Sequence, residues 1–242
     1  MGIKEILLGD YSDVGLGNSD TRERWVKKTL GSIPAGQSLL DAGAGELKYR
    51  KYCSHLSYVS QDFGQYDGKG DGAGIQTESW DNSKLDIVSD IASIPVEDKS
   101  FDNILCTEVF EHIPHPVKAL KEFSRIIKPG GKLILTAPFC SITHFAPYHF
   151  YTGFNIYFYR KWLSDFGFEL EELTYNGNYF EYLAQEVRYT TVTAARYAGI
   201  KMGVLEKLAQ RILLAFYKKA SKNDRGSNEL LSFGLHIVAV KK

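Results

Sequence analysis

The chain has 242 residues, of which 44% are hydrophobic and 24% charged, a composition typical of a folded protein and not of a disordered or fibrous one. Lysine plus arginine and aspartate plus glutamate number 29 each, so no net charge attracts the chain to nucleic acid or to an anionic membrane. The length predicts a single domain, 1–242, with a helical cover at 1–35 and a helical insertion with a loop at 179–229.

The cysteines and apolar runs predict the compartment. Cys53, Cys106 and Cys140 are widely spaced and contain no CxxC pair, which argues against a disulfide framework or a zinc site. The apolar run at 6–8 is too short for a signal peptide, and the longest apolar stretch, 212–217, is far below the ~18 residues of a membrane span. We therefore expect a cytoplasmic protein, and we predict no metal-binding residues.

Short apolar runs bounded by polar or glycine-rich turns predict the strands of the amino-terminal two thirds. These runs are 38–41, 58–62, 85–90, 102–107 and 132–137. Helical character is expected for 46–54, and apolar spacing predicts a helix after Pro116 and another over about 155–165, capped by Gly167. The glycine-rich stretch 64–84 has no helical period and predicts a long irregular loop.

The remaining elements are a strand at 168–175, a helical excursion at about 179–222 and a final strand at 233–240. Because strand and helix alternate through residue 166, the pattern indicates an α/β fold with a doubly wound, parallel sheet. Such sheets bind ligands at the carboxyl ends of their strands, so we expect the site in the loops that follow them.

The strongest local motif is Leu-Asp-Ala-Gly-Ala-Gly-Glu at 40–46, where Gly43 and Gly45 allow a sharp turn and a close ligand approach. The motif suits either a dinucleotide or a nucleoside without phosphates. Lys48 stands where a dinucleotide fingerprint has its third glycine, and Asp41 and Glu46 flank the loop. These carboxylates would repel a pyrophosphate, whereas they favour the ammonium and sulfonium groups of S-adenosylmethionine.

Polar residues end the next three strands as well. Asp62 follows the glycine loop by about 20 residues, at a position where an acid accepts hydrogen bonds from a ribose diol. Asp90 with the apolar Ile91 suits an adenine amino group and ring face, and Thr107 with Glu108 ends the fourth strand. We therefore expect four strand ends to converge on one nucleoside.

These motifs resemble those of the class I S-adenosylmethionine-dependent methyltransferases, of the small-molecule methyltransferase-domain type. The resemblance covers about 25–175 and again 233–240. It implies a mostly parallel seven-stranded sheet of order 3-2-1-4-5-7-6, with strand 7 antiparallel and a helical insertion between the last two strands. It also implies that Gly43 and Gly45 contact the methionyl part, Asp62 the ribose, and Asp90 with Ile91 the adenine. The full predicted cofactor site is Asp41, Gly43, Ala44, Gly45, Asp62, Phe63, Asp90, Ile91, Thr107 and Glu108.

A segment after the fifth strand, 139–159, has nine aromatic residues in 21 and is the predicted substrate pocket. Methyl transfer to a hydroxyl needs a base, and histidine has the nearest pKa. We predict His149 as the base first and His144 second, with Tyr148 and Tyr151 shaping the pocket. His112, near the methyl end of the cofactor by the family resemblance, is the third candidate.

The predicted activity is methyl transfer to a small molecule, most simply a hydroxyl of a sugar or another metabolite. Two alternatives stay open: a lipid or quinone acceptor at a membrane surface, and a module that binds the cofactor without chemistry. The stretch 204–219 is amphipathic. It is predicted to contact a membrane surface, to contact a second copy of the chain or to pack internally. An NAD-dependent oxidoreductase is the third alternative, and nucleic acid is not an expected partner.

Overall fold

The computed structural model of the chain describes residues 13–242. They form two compact units. The sheet unit comprises Arg22–Thr174 and Gly234–Lys242, and the helical unit comprises Tyr175–Phe233 with the described part of Met1–Thr21. The apolar run at 6–8 and the first third of the predicted cover at 1–35 lie outside the described residues. A single domain over 1–242 stays a prediction, as does the role of 1–35 as a cover.

Seven strands form one sheet in the order β3-β2-β1-β4-β5-β7-β6. The strands are β1 Ser38–Ala42, β2 Ser57–Asp62, β3 Ile87–Val88, β4 Phe101–Thr107, β5 Ile127–Pro138, β6 Phe168–Asn176 and β7 Gly234–Lys241. Strands β1 to β5 pair in parallel, and β7 runs antiparallel to β5. The predicted fold class and strand order are therefore confirmed.

Several of the helices begin or end at residues that favour a helix terminus. They are α1 Asn18–Gly31, α2 Pro116–Ile126, α3 Ile156–Asp165, α4 Tyr179–Ala198 and α5 Val204–Lys222. Pro116 occupies the first turn of α2, and the side chain of Asn155 caps α3 by accepting hydrogen bonds from two backbone N–H groups. Gly199 ends α4 in the left-handed conformation, with φ of +65°. Helices α4 and α5 lie between β6 and β7 in the chain, as predicted.

Two predicted elements differ from the structure. The helix expected over 46–54 is wrong, because only Arg50–Tyr52 forms a short 3-10 helix there. Leu47 has φ of +61°, a left-handed conformation that stops an α-helix from starting. The strand expected over 85–90 is reduced to Ile87–Val88, where β3 forms the edge of the sheet and the Val88 side chain is largely exposed.

Strand register positions the site. Asp41 of β1 lies opposite Leu105 of β4, and Ala42 lies opposite Gln61 of β2. Asp62 in turn pairs with Val88 of β3. The carboxyl ends of β1 to β4 therefore meet at one edge of the sheet, above a core of fully buried apolar residues. This core includes Val26, Leu30, Leu39, Leu105 and Ile134. No helix within 13–242 is long and apolar enough to cross a membrane, and a cytoplasmic location stays a prediction.

Candidate active site

A cavity of about 1050 Å³ lies in the sheet unit at the carboxyl ends of β1 to β4. Most of the predicted cofactor residues line it: Gly43, Ala44, Gly45, Asp62, Phe63, Asp90, Ile91, Thr107 and Glu108. The volume exceeds the few hundred Å³ that small ligands commonly fill, so the cavity has room for a nucleoside cofactor and a second molecule. The structure thus brings these residues together.

The turn after β1 has a backbone that only glycine supports well. Gly43 and Gly45 have φ of +78° and +49°. A Cβ atom on Gly43 would lie 2.3 Å from a methyl group of Val109, and one on Gly45 would lie 2.6 Å from the Trp80 ring. The N–H groups of Gly43 and Ala44 both donate to the Gln61 carbonyl, at 2.8 and 2.9 Å. The turn is therefore closed over the end of β2, and its surface is open to a close ligand approach.

The Asp62 carboxylate is fixed between two loops. Its Oδ2 accepts a hydrogen bond from the Gly45 N–H at 3.0 Å, and its Oδ1 accepts one from the Gly64 N–H at 2.9 Å. Each carboxylate oxygen accepts more than one hydrogen bond, so each keeps capacity for a ligand hydroxyl. This arrangement suits a ribose diol at the end of β2.

Asp41 is not brought into the cavity. Its side chain is buried in the sheet and accepts a hydrogen bond from the Tyr58 hydroxyl at 2.7 Å. Burial is the main cause that raises the pKa of Asp41 to about 7, with the Tyr58 hydroxyl opposing the shift and the neighbouring Asp62 adding to it. Cofactor contact by Asp41 stays a prediction, and the structure gives this residue a position beneath the glycine turn instead.

Glu108, at the end of β4, is already engaged by protein groups. Its Oε2 lies 2.9 Å from Nη1 of Arg22, and its Oε1 accepts a hydrogen bond from the Thr136 hydroxyl at 2.9 Å. Its backbone has φ of +53°, an uncommon conformation for a residue with a side chain. Asp90 is exposed and its Oδ1 accepts the Ala92 N–H at 2.8 Å, whereas Ile91 beside it is buried.

The charge of the lining favours a cation over a phosphate. Four carboxylates line the cavity, against two formally cationic side chains, Arg22 and Lys48. The carboxylates belong to Glu46, Asp62, Asp90 and Glu108. Arg22 is paired with Glu108, which leaves the carboxylates in excess. The lining therefore fits a positively charged adenosine derivative and would repel a diphosphate.

Aromatic residues of the 64–84 loop form a wall that the sequence motifs do not reveal. Tyr66 stacks on Phe145 with ring centroids 4.7 Å apart, and Trp80 lies edge-on to both rings at 5.4 to 5.5 Å. All three line the cavity, together with the predicted Tyr148 and Phe63. Their only sequence signal is aromatic residues in an otherwise polar loop, which does not identify a contact partner.

Glycines let this loop lie directly on the aromatic segment 139–159. The Asp71 N–H donates to the Ala146 carbonyl at 3.0 Å, and a pair of backbone hydrogen bonds joins Ile75 to Thr143 and Phe145. At Gly70 a Cβ atom would lie 1.8 Å from the Ala146 carbonyl oxygen. The irregular loop predicted at 64–84 is confirmed, and its backbone bonds make it one wall of the cavity.

The three candidate bases form one cluster. The ring centroid of His144 lies 4.6 Å from that of His112 and 4.9 Å from that of His149. Of the three, His112 lines the cavity, whereas His144 and His149 lie behind it. The Oε1 atom of Glu111, a buried residue that sequence analysis missed, lies 3.6 Å from Nε2 of His112.

Burial controls the protonation of this cluster. It lowers the pKa of His112 to about 3, with His144 and His149 adding to the shift and the Tyr148 carbonyl opposing it. Burial also lowers the pKa of His149, with a contribution from His144. Burial raises the pKa of Glu111 well above its usual value, and Glu108 adds to that shift. His112 and His149 are therefore neutral imidazoles at physiological pH.

The predicted pocket tyrosines occupy different positions. Tyr148 lines the cavity, and its ring meets Phe63 edge-on at 4.9 Å. The Tyr151 ring is more exposed and packs near Phe154, and its hydroxyl donates to the Pro114 carbonyl at 3.1 Å. Tyr148 is therefore placed to contact a substrate, whereas Tyr151 lies outside the lining.

Several known proteins with a similar sequence or fold are methyltransferases. A family model described as a methyltransferase domain matches residues 40–135, which contain the glycine turn and Asp62. This match, over about two fifths of the chain, supports a class I S-adenosylmethionine-dependent methyltransferase. The chain is 33% identical over 63 residues to a ubiquinone biosynthesis O-methyltransferase of Xanthomonas oryzae pv. oryzae, a match that covers 26% of each chain.

Two further proteins match over more of the chain. A sarcosine/dimethylglycine N-methyltransferase of Halorhodospira halochloris is 25% identical over 188 residues, covering 72% of this chain and 67% of that protein. The structure of phosphoethanolamine N-methyltransferase 2 of Haemonchus contortus with S-adenosylmethionine superposes with a TM-score of 0.54 and 17% identity. That superposition covers 91% of this chain and 52% of the other. The acceptors of these proteins differ, so the likeness does not define one for this chain.

Proposed function

We propose that this protein transfers the methyl group of S-adenosylmethionine to a hydroxyl of a small molecule, such as a sugar or another metabolite. One observation supports this most strongly. The carboxylate of Asp62 is held by the Gly45 and Gly64 N–H groups at the end of β2, in a cavity where carboxylates outnumber cations. This is the chemistry that recognises a ribose diol and a sulfonium charge.

In this proposal the chain contributes binding and orientation. The turn at Gly43 and Gly45 gives the methionyl part a close backbone approach, and Asp62 accepts hydrogen bonds from the ribose. Asp90 and Ile91 lie beyond it for the adenine. S-adenosylmethionine, when bound, supplies the electrophilic methyl group. Tyr66 and the rest of the aromatic wall exclude water from the side of the cavity where the substrate binds. The same wall orients the substrate so that its nucleophile and the methyl carbon are in line.

Methyl transfer to a hydroxyl also requires a base that takes up the hydroxyl proton. With S-adenosylmethionine bound, the hydroxyl oxygen of the substrate would bond to the methyl carbon while the carbon–sulfur bond breaks and its electron pair stays on sulfur. The hydroxyl proton leaves to a base. The order predicted from the sequence is His149, then His144, then His112, and the grouping of their rings beside the cavity is consistent with this role.

Incubation with methyl-labelled S-adenosylmethionine and a panel of sugar nucleotides, polyols and phenolic metabolites tests the proposal. We expect label in an acid-stable ether of one class of hydroxyl acceptor. Transfer only to amines would overturn the hydroxyl assignment. Tight binding of the cofactor with no transfer to any acceptor would favour the module that binds without chemistry.

A lipid or quinone acceptor at a membrane surface is the second candidate. The helical unit exposes large apolar side chains on α4 and α5, including Tyr197, Val204, Leu205 and Phe216. Relatives named ubiquinone biosynthesis O-methyltransferase and demethylmenaquinone methyltransferase support an acceptor of this class. The same surface suits a second copy of the chain, so sedimentation with liposomes and the oligomeric state in solution separate the two interpretations.

A further inference from the structure

A buried carboxylate and two imidazoles converge beside the cavity. Glu111 and His112 lie on the 3-10 helix Phe110–His112 after β4, and His144 lies on the aromatic segment after β5. The Oε1 atom of Glu111 is 3.6 Å from Nε2 of His112 and 3.9 Å from Nε2 of His144. Backbone hydrogen bonds from Phe150 and Tyr151 to the Glu111 carbonyl hold the two segments together.

The hydrogen bonds of the two rings determine which nitrogen is protonated. Nδ1 of His112 lies 2.6 Å from the Tyr148 carbonyl oxygen, and Nδ1 of His144 lies 2.9 Å from the Ile142 carbonyl oxygen. A carbonyl oxygen only accepts, so each Nδ1 must carry the proton. In the neutral ring, Nε2 then has a free lone pair. Histidines that bind metals are oriented in this way, with the second nitrogen donating to a carbonyl or a carboxylate.

Direct contacts do not satisfy these groups. Nε2 of His112 and Nε2 of His144 lie 3.6 and 3.9 Å from Oε1 of Glu111, which is longer than a hydrogen bond, so neither an ionised nor a protonated Glu111 carboxyl satisfies them directly. The Oε2 atom of Glu111 is buried and has no hydrogen-bond partner among residues 13–242, and the residue is 1% exposed. A buried carboxylate left in this state is costly unless a cation or a donor compensates it.

We propose that Glu111, His112 and His144 bind one divalent transition-metal ion. Their ligand atoms all lie within 4.8 Å of one another. Ligands about 2.1 Å from a tetrahedral ion lie about 3.4 Å apart. The two distances from Oε1, 3.6 and 3.9 Å, are close to this value, and the widest separation of up to 4.8 Å needs a closure of up to about 1.4 Å, which the partly exposed His144 side chain can make by rotation. Two imidazoles with one carboxylate suit zinc, cobalt, iron or manganese, and they are a poor set for calcium.

The position of the site suggests what the ion contacts. His112 lines the cavity, so an ion on its Nε2 lies at the edge of the predicted acceptor space. Three protein ligands leave coordination positions open, and a bound hydroxyl has a lowered pKa. The assignment of those positions to the acceptor hydroxyl rests on the proposed function. The metal site itself does not.

The test is a metal titration of the untagged full-length chain after treatment with a chelator and dialysis. Cobalt(II) binding is followed by visible absorption, and zinc binding by calorimetry in competition with cobalt. We expect one ion per chain, and at least a tenfold loss of affinity in His144→Ala and in Glu111→Gln. His115→Ala is the matched control, because this exposed histidine lines the same cavity and is not one of the three proposed ligands, so the metal affinity of the variant should equal that of the wild type.

Glu111 is fully buried, so its variant carries a risk of misfolding, whereas His144 is partly exposed and its variant should fold. Thermal unfolding of each metal-free variant checks this. No cobalt or zinc binding tighter than about 1 mM in the wild type would overturn the proposal, as would equal affinity in His144→Ala. Metal binding without methyl transfer to any acceptor would support the site while contradicting the proposed function.

Discussion

Asp62 is the single residue on which the proposed cofactor contact depends most. Its two carboxylate oxygens are oriented by the Gly45 and Gly64 N–H groups. We expect Asp62→Ala to weaken binding of S-adenosylhomocysteine by at least about 10- to 100-fold, because even one hydrogen bond from a hydroxyl to a charged group is worth about 1.5–3 kcal/mol. Calorimetric titration measures this loss.

Asp81→Ala is the control for Asp62→Ala. Asp81 is an exposed acid of the 64–84 loop whose side chain accepts hydrogen bonds from Ser83. The Asp81→Ala variant loses the same charge but keeps every side chain that lines the cavity, so its affinity for S-adenosylhomocysteine should stay within about twofold of the wild type. Equal affinity in Asp62→Ala and the wild type would contradict the ribose assignment.

The buried Asp41 predicts an unusual dependence of stability on pH. Its pKa is raised to about 7 in the folded state from an ordinary value of 3.8, chiefly by burial, although Tyr58 donates to it. Between pH 4 and 7 the folded chain keeps a proton that the unfolded chain releases. The free energy of unfolding should therefore fall as the pH rises through this window.

Asp41→Asn removes this titration while keeping an oxygen for the Tyr58 hydroxyl. We expect the variant to match the wild type near pH 4 and to exceed its stability at pH 8 by on the order of 3 kcal/mol. Urea unfolding of both proteins at several pH values measures the difference. Parallel pH profiles for the two proteins would show that Asp41 has an ordinary pKa.

Among the elements, the 64–84 loop depends on its glycines for its packing against the rest of the domain. Gly70 and Gly72 both have positive φ, +50° and +81°. A Cβ on Gly70 meets the Ala146 carbonyl, whereas one on Gly72 meets nothing within 4 Å. Alanine at either site costs about 1 kcal/mol for the backbone conformation, but only Gly70→Ala should also displace the loop from the segment at 143–146.

Gly70→Ala should therefore show faster proteolysis within 64–84 and weaker binding of S-adenosylhomocysteine than Gly72→Ala, because Tyr66 and Trp80 line the cavity from this loop. Limited proteolysis and calorimetric titration of the two variants side by side give the comparison. If both variants behave alike, the loop does not depend on its backbone contact with Ala146.

How well the sequence predicts an element depends on where its contacts lie. Strands β1, β4 and β5 were predictable because each contains an apolar run whose burial follows from its own composition. The helix expected over 46–54 failed because Leu47 adopts a left-handed conformation that no residue type announces. The 64–84 loop was predictable as a loop, but its docking on 143–146 depends on residues about 70 positions away.

The same reasoning explains the site. The glycine turn and Asp62 follow from a motif within one strand-turn-strand unit, so their positions were predictable. Glu111 was missed because a glutamate after a strand reads as a surface residue, and only the tertiary fold buries it against His112 and His144. Asp41 shows the converse, since it belongs to the motif but lies beneath the turn.

At the scale of the whole molecule, the exposed apolar side chains of α5 make a testable surface. Leu205 and Phe216 are 76% and 52% exposed. If the acceptor is a membrane lipid or quinone, the chain should sediment with liposomes, and the double variant Leu205→Asp with Phe216→Asp should lose most of that binding. Leu230→Asp, at a residue 66% exposed outside α5, is the control and should sediment like the wild type. If the wild-type chain stays in the supernatant, it does not bind the liposomes and the prediction of a membrane contact is wrong.

We propose above all that the cavity at the ends of β1 to β4 holds a phosphate-free, positively charged adenosine cofactor or its demethylated product. Thermal unfolding with saturating S-adenosylmethionine or S-adenosylhomocysteine, compared with NAD, tests it most directly. A ligand at 100 times its dissociation constant stabilises the folded state by about 2.7 kcal/mol. We expect a clear rise in melting temperature with both sulfur compounds and none with NAD. A rise with NAD alone would contradict it.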